Sequence, residues 1–347
     1  MRGTMRAIVK SQPRPGAEYR KDWPIPEIGP KDVLARILAT AVCGTDVHIY
    51  DWNAFAQAHL KLPTTFGHEF CGEVVEVGSQ VENIKVGDLI AGETHIPCGT
   101  CFQCTTGLQH ICQNMKIVGV HTAGSFAEYL QLPAVCAWKL PAGFDPAIGS
   151  VLEPLGVAAH AALLGPLSGQ TVAVFGCGPI GCFAVAIAAA SGAARIFASD
   201  VDETRLALAR EMGATDTLNA RETNVRQAIL DATHGVGVDV VLEISAAPSA
   251  IQDAFKVVRK AGRLTLVGLQ GDPVPLNIAN DFCYKETRVQ GITGREMWGT
   301  WHQVMRLLES GKVDPTKVIT HRLPLEEFEQ GINLAKSRAG GKVVFML

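Results

Sequence analysis

The sequence predicts an α/β protein of two domains, a β-rich, barrel-like N-terminal domain followed by a doubly wound parallel sheet. Three observations carry that expectation. The 347 residues exceed what one ordinary core holds. Short strand-like runs punctuated by Gly and Pro fill the N-terminal part up to about residue 150. From Gln170 onward β and α patterns alternate, as they do when helices wrap a parallel sheet.

The elements follow in order. Met5 to Val9 reads as the opening strand and Pro24 to Pro30 as a proline-rich loop. Val33 to Ala39 alternates apolar and polar residues as a half-buried strand does. Gly72 to Val77 is another strand, and Lys85 to Ile90 a turn feeding the next. Near residue 150 the pattern changes, and Leu152 to Leu164 is helical. Thr171 to Phe175, Arg195 to Ser199, Asp239 to Glu243, Gly262 to Val267 and Arg288 to Ile292 read as strands. Ile180 to Ala190 and Asp202 to Glu211 are the helices between the first of them. Trp301 to Ser310 and Glu326 to Ser337 are amphipathic helices, and Lys342 to Met346 is a terminal strand. The expected domains are 1–154, with a lobe at about 95–113, then 155–294, then a segment 295–347 returning to the first domain.

Composition narrows the function. A net charge of −3 gives no electrostatic case for a nucleic-acid or membrane partner. The longest apolar run, Phe183 to Ala190, falls far short of the ~20 residues of a membrane span. Met1 to Ser11 has no apolar signal region, so a cytoplasmic protein is expected. Of ten cysteines, Cys71, Cys136, Cys177, Cys182 and Cys283 read as small buried hydrophobes.

Cys98, Cys101, Cys104 and Cys112 are spaced C-x2-C-x2-C-x7-C. Each short step lets two thiolates converge on one ion, and a four-sulfur shell is a closed, structural zinc site. Similar spacing also serves iron–sulfur clusters, although nothing else in the chain suggests electron transfer.

Val172 to Phe175 runs into Gly176-Cys177-Gly178-Pro179-Ile180-Gly181 and then a helix, the context that the glycine-rich dinucleotide loop requires. Gly176 makes the turn, Gly178 lets the backbone approach the pyrophosphate, and Gly181 lets helix and strand pack closely. The helix N-terminus offers free N–H groups to the phosphates. Asp200, nineteen residues past Gly181, either accepts the ribose hydroxyls and favours NAD over NADP, or caps the following helix, a role open also to Asp202. Arg205 lies one helical turn further and bears on that preference. Val267, Gly268, Leu269, Ile292 and Thr293, at the ends of later strands, complete the expected cofactor contacts.

Cys43 lies 25 residues before His68, inside Cys43-Gly44-Thr45-Asp46, and Gly67-His68-Glu69 follows an apolar run. A thiolate and a neutral imidazole are good zinc ligands, and a carboxylate can complete the shell. With the four cysteines, Glu153-Pro154-Leu155-Gly156 and the glycine loop, this order of motifs resembles the zinc-dependent medium-chain dehydrogenases over essentially the whole chain. The resemblance implies a GroES-like catalytic domain with a Rossmann domain inserted before the final segment. It implies NAD and two zinc ions, one catalytic at Cys43, His68 and Glu69 and one structural. It assigns Thr45 and His48 to a proton relay and Glu153 to a near-metal group, and leaves open whether Glu69 or Glu153 ligates.

Within that family, Asp46 to Trp52, Gly92 to Ile96, Gly294 to Trp298 and Ile319 to Arg322 are similar to the threonine-oxidising members, which are cytoplasmic homotetramers. His95 and Arg295 are then the residues expected at the substrate, L-threonine. Val157-Ala158-Ala159-His160 is closer to sorbitol and butanediol dehydrogenases, which are the alternative. A zinc-free relative that only binds dinucleotide is a further class, but it predicts loss of ligands that this chain retains.

Overall fold

The computed structural model describes residues 3–337 and 340–347. The expected ranges 1–154 and 295–347 each include two residues outside that description. The chain divides into two compact units, Met1–Glu153 with Ile319–Leu347, and Pro154–Val318. The cuts fall after Glu153 and after Val318, set beside the expected boundaries at 154 and 294. The helix Gly299–Glu309, which buries Trp301 and Val304, therefore counts with the second unit. An amphipathic helix has the same periodicity whichever core it covers, so its pattern carries no domain label.

In the first unit, one long strand organises the rest. Asp32–Ala41 pairs antiparallel with Glu69–Val77, Tyr129–Pro133 and the C-terminal Lys342–Met346. Its alternation is what the sequence shows, with both faces nonetheless largely buried. Ala41 lies opposite Glu69 on one side and Val344 on the other, so three segments far apart in the chain end at one place. Lys342–Met346 also pairs in parallel with Ile319–Pro324, which brings the tail back into this unit. Beneath the sheet, Phe126 packs edge-on against Phe66 and Phe345 at centroid distances of 5.0 and 5.3 Å.

The second unit is a six-stranded, all-parallel sheet. Its spatial order is Asp216–Asn219, Arg195–Asp200, Thr171–Phe175, Val238–Glu243, Val258–Leu266 and Arg288–Gly291. In sequence terms this is 3-2-1-4-5-6, the dinucleotide-binding order, with its switch point beside Thr171–Phe175. Phe175, Phe197, Val241, Phe255 and Leu264 fill one side of it.

Several strands escape the sequence pattern, and two of them show why. Glu18–Pro24 carries four charges and is mostly solvent-facing, so pairing with Thr4–Lys10 creates it. Asp216–Asn219 is a four-residue edge strand with no fully buried side chain. Cys283 also corrects an expectation, since it is exposed. Its apolar neighbours suggested burial, but a single turn, Ala279–Cys283, turns it outward. Among the described residues, no helix is long and apolar enough to cross a membrane.

Phe345→Ala should destabilise the first unit by about 3–5 kcal/mol, the range for truncating a buried Phe. Its ring fills space between Phe126 and Gly331. Urea unfolding followed by Trp fluorescence checks this.

Candidate active site and metal centres

The ligand atoms of Cys43, His68 and Glu69 lie within 4.8 Å of one another. Strand register explains the convergence. Cys43 follows Ala41 by two residues and caps the short helix Gly44–Tyr50, while Glu69 opens the strand paired with Ala41. Gly67 turns the chain between them at φ +88°, and any Cβ there would sit 2.4 Å from the Phe126 ring. Only glycine fits.

Around this trio the protein buries charge. Asp46 is fully buried, its Oδ2 accepting from Cys43 N at 2.8 Å and its Oδ1 3.6 Å from His68 Nδ1. A carboxylate behind a ligating imidazole fixes the ring and raises its basicity. Lys342, also buried, lies 2.5 Å from Glu69 Oε1 and donates to Val42 O at 2.9 Å. Burial pushes the Glu69 carboxyl up to about 7 against the pull of Lys342. Burial alone lowers the His68 imidazole, but the negative groups Cys43, Asp46 and Glu153 outweigh it and lift the ring to about 10. A site that grips a proton this firmly has surplus negative charge. Together with the buried, partnerless Glu69 Oε2, that surplus fits a bound cation.

The other expected groups of this unit fall as follows. Glu153 opens the helix Leu152–Ala162 and is nearly buried, with Oε1 accepting from Thr94 Oγ1 at 3.1 Å. It is close enough to Glu69 and His68 to act on both electrostatically. His95 is no surface histidine, because its side chain is 12% exposed and its Nδ1 sits 3.0 Å from the buried Glu93 carboxylate. That contact leaves Nε2 as the acceptor. Thr45 Oγ1 lies 3.9 Å from Cys43 Sγ. The exposed His48 ring meets the Asn53 amide at 2.9 Å. Asn53 Oδ1 accepts from Ala56 N, so its NH2 faces His48 Nδ1 and the ring proton resides on Nε2. Asp46, Glu93 and Lys342 were missed in the sequence, since a single acidic or basic residue carries no spacing signal.

The four cysteines of the lobe also converge within 4.8 Å. Cys101 Sγ lies 3.5 Å from Cys104 Sγ and 3.7 Å from Cys112 Sγ. Zinc–sulfur bonds of about 2.3 Å in a tetrahedron give S···S edges of about 3.8 Å, so the spacing fits one zinc ion. Thiolates around a multi-iron cluster stand farther apart. Gly99 and Gly107, at φ +76° and +88°, make the curls. The Cys98 thiol is depressed to about 5, chiefly by the Thr100 amide, which readies it for metal.

In the second unit the glycine loop has the steric requirements read from the sequence. A Cβ on Gly181 would lie 1.8 Å from Gly176 O, and one on Gly176 2.8 Å from the Ser245 backbone. The helix Pro179–Ala190 begins directly from Gly178. Asp200 does not cap the next helix, because Asp202 does, through Arg205 N. Asp200 instead accepts from Cys177 N at 2.7 Å and from Val201 N at 2.7 Å, tying the glycine loop to the strand end. The Arg205 guanidinium approaches Gly178. Val267 N and Gly268 N donate to Glu243 O, and Ile292 N to Leu266 O, while Leu269 and Thr293 face solvent. Arg295 is fully buried, its stem packed where a Cβ on Gly156 would fall. Beside the strand ends lies a cavity of about 450 Å3, lined by Phe175, Ser199, Thr223, Asn224, Arg226 and Asp253. It occupies the carboxyl side of the sheet, where such folds take ligands.

A dinucleotide fold in one unit and a three-donor cation site in the other define the class, a metal-dependent dehydrogenase that uses NAD(P). Comparison with known proteins makes it specific. Residues 29–142 match the alcohol dehydrogenase GroES-like domain, and residues 179–310 match the zinc-binding dehydrogenase family. L-threonine 3-dehydrogenase of Bacillus velezensis is 49% identical over 347 residues, 100% of both chains. The enzyme of that name from Bacillus licheniformis is 46% identical over 346 residues, again 100% of both. Among solved structures, a zinc-binding dehydrogenase from Sinorhizobium meliloti 1021 bound to NADP superposes with a TM-score of 0.91 at 31% identity, covering 99% of each chain. The chain belongs to the zinc-binding dehydrogenases that carry an alcohol dehydrogenase GroES-like domain.

Gly181→Ala should weaken dinucleotide binding at least about tenfold while leaving zinc content unchanged, because the clash moves the phosphate loop. Titration calorimetry and metal analysis separate the two. Cys104→Ser should remove one zinc equivalent per chain and lower the thermal midpoint, with the Cys43 site still loaded.

Proposed function

We propose that the chain oxidises the 3-hydroxyl of L-threonine with NAD, giving 2-amino-3-oxobutanoate, the activity of an L-threonine 3-dehydrogenase. The observation that carries this reading is the full-length identity of 49% and 46% to two enzymes of that name. Cys43, His68 and Glu69 would hold the catalytic zinc, with Glu153 as a near-metal carboxylate, and Cys98, Cys101, Cys104 and Cys112 the structural one.

Zinc held there supplies Lewis acidity, which lowers the pKa of bound water from ~16 to ~7 and acts likewise on a bound alcohol. The residues do the rest. Asp46 stands behind the His68 ring, its Oδ1 3.6 Å from Nδ1, and its charge raises the basicity of the imidazole. Thr45 presents a hydroxyl beside the Cys43 sulfur that both accepts and donates a proton. His48, solvent-exposed and anchored by Asn53, passes that proton to water. NAD bound at the glycine loop would supply a hydride acceptor for C3, while Thr45 and His48 carry the hydroxyl proton away. His95, with Nε2 as acceptor, and Arg295, as a cation, are the groups proposed for the substrate's ammonium and carboxylate.

Asp200, fixed at the strand end by backbone N–H groups, carries the negative charge that disfavours a 2′-phosphate, and this supports NAD over NADP. The same reading includes a homotetramer in the cytoplasm, which rests on family resemblance.

Initial rates with L-threonine, sorbitol and 2,3-butanediol test the substrate. L-Threonine should give the highest kcat/KM with NAD, and no NADH from threonine overturns the reading. Cys43→Ser should lower kcat by at least about 10^3-fold, since metal polarisation supplies several kcal/mol and each tenfold corresponds to 1.36 kcal/mol. Dinucleotide affinity, measured in parallel, should stay unchanged.

A further inference from the structure

The mechanism above makes no use of Lys342, yet the protein buries its ammonium beside both metal-ligand segments. Its Nζ is 2.5 Å from Glu69 Oε1 and 2.9 Å from Val42 O. Val42 precedes Cys43, and Glu69 follows His68. One donor from the last strand thus holds the backbone beside the thiol and the carboxylate beside the imidazole. The second Glu69 oxygen, Oε2, is buried without a hydrogen-bond partner. A bare buried carboxylate oxygen is costly, and it belongs to a residue already in the converging donor set.

We propose that Lys342 is a positioning residue that competes with the metal ion for Glu69, keeping that carboxylate a ligand the ion can lose when the substrate hydroxyl arrives. Two cations sharing one carboxylate each weaken the other's hold on it. With Oε1 committed to the ammonium, Glu69 offers the ion a single, charge-depleted oxygen. Asp46 backs the other two donors, its Oδ2 accepting from Cys43 N at 2.8 Å and its Oδ1 standing 3.6 Å from His68 Nδ1, so Glu69 is the donor that yields. A neutral residue at 342 leaves the ion as the only cation for Glu69, and the carboxylate then clings to it and blocks the substrate position.

The inference rests on a metal at Cys43 and His68, so the test reads metal exchange directly. Zinc release from the full-length, zinc-loaded protein to a coloured chelator is followed for wild type, Lys342→Met, Lys342→Gln and Lys342→Arg. The phase belonging to this site is the one absent in Cys43→Ser. Lys342→Met should slow that phase by roughly 10–100-fold, the range for altering groups behind a ligand. It should also raise the KM for L-threonine. Lys342→Arg, which keeps the charge, should stay within about threefold of wild type, and the four-cysteine phase should not move. Lys342→Gln keeps an N–H donor for Val42 O without the charge, and serves the same test if the methionine variant does not fold. Unchanged or faster release in a folded neutral variant overturns the proposal, faster release marking Lys342 as a mere strut. A wild-type protein with no Cys43-dependent zinc phase overturns instead the metal reading beneath it.

Discussion

Buried charge must be paired, and the first unit is arranged around that constraint. Asp46, Glu69 and Glu153 are all nearly or fully removed from water, with the Cys43 thiol beside them. Within the protein they face Lys342 and His68. The negative surplus explains why the His68 ring holds a proton so firmly and why a divalent cation fits among these donors. The surplus in turn depends on strand register. A one-residue slip between Asp32–Ala41 and either neighbour would send Glu69 or Lys342 to the opposite face.

The second unit solves a different problem by steric means. Its loops must let a phosphate-bearing ligand come close to backbone, so side chains are excluded where Gly176 and Gly181 approach their neighbours. Carboxylates then lock the loops. Asp200 ties the glycine turn to the end of Arg195–Asp200. Glu243 does the same for the next turn, its Oε1 accepting from Ser245 N, Ser245 Oγ and Ala246 N. The backbone oxygen of Glu243 holds Val267 and Gly268 as well. Residues of this kind act through geometry, fixing the N–H groups and glycine edges that meet a ligand.

The motifs legible in the sequence are those whose function needs fixed local spacing. Cysteines three positions apart must share a turn, and a glycine loop must join one strand to one helix, so Cys98 to Cys112 and Gly176 to Gly181 could be read directly. Cys43 and His68, 25 residues apart, required the family resemblance. Asp46 stood within the Cys43 motif but looked like any helix-start acid, and Lys342 like any strand-end lysine. Asp200 was read with two roles open. The structure gives the cap to Asp202 and gives Asp200 a grip on Cys177 N.

The amino-acid sequence alone determined the two-domain α/β class, the four-sulfur site and the dinucleotide loop, because each follows from short-range periodicity or spacing. Only the tertiary structure decided that the helix Gly299–Glu309 belongs with the nucleotide unit, and that the tail rejoins the sheet at Ile319. It alone brought Lys342 to Glu69 across 273 positions. Strand pairing between distant segments sets which side chains share a buried space, and no local pattern encodes that partnership.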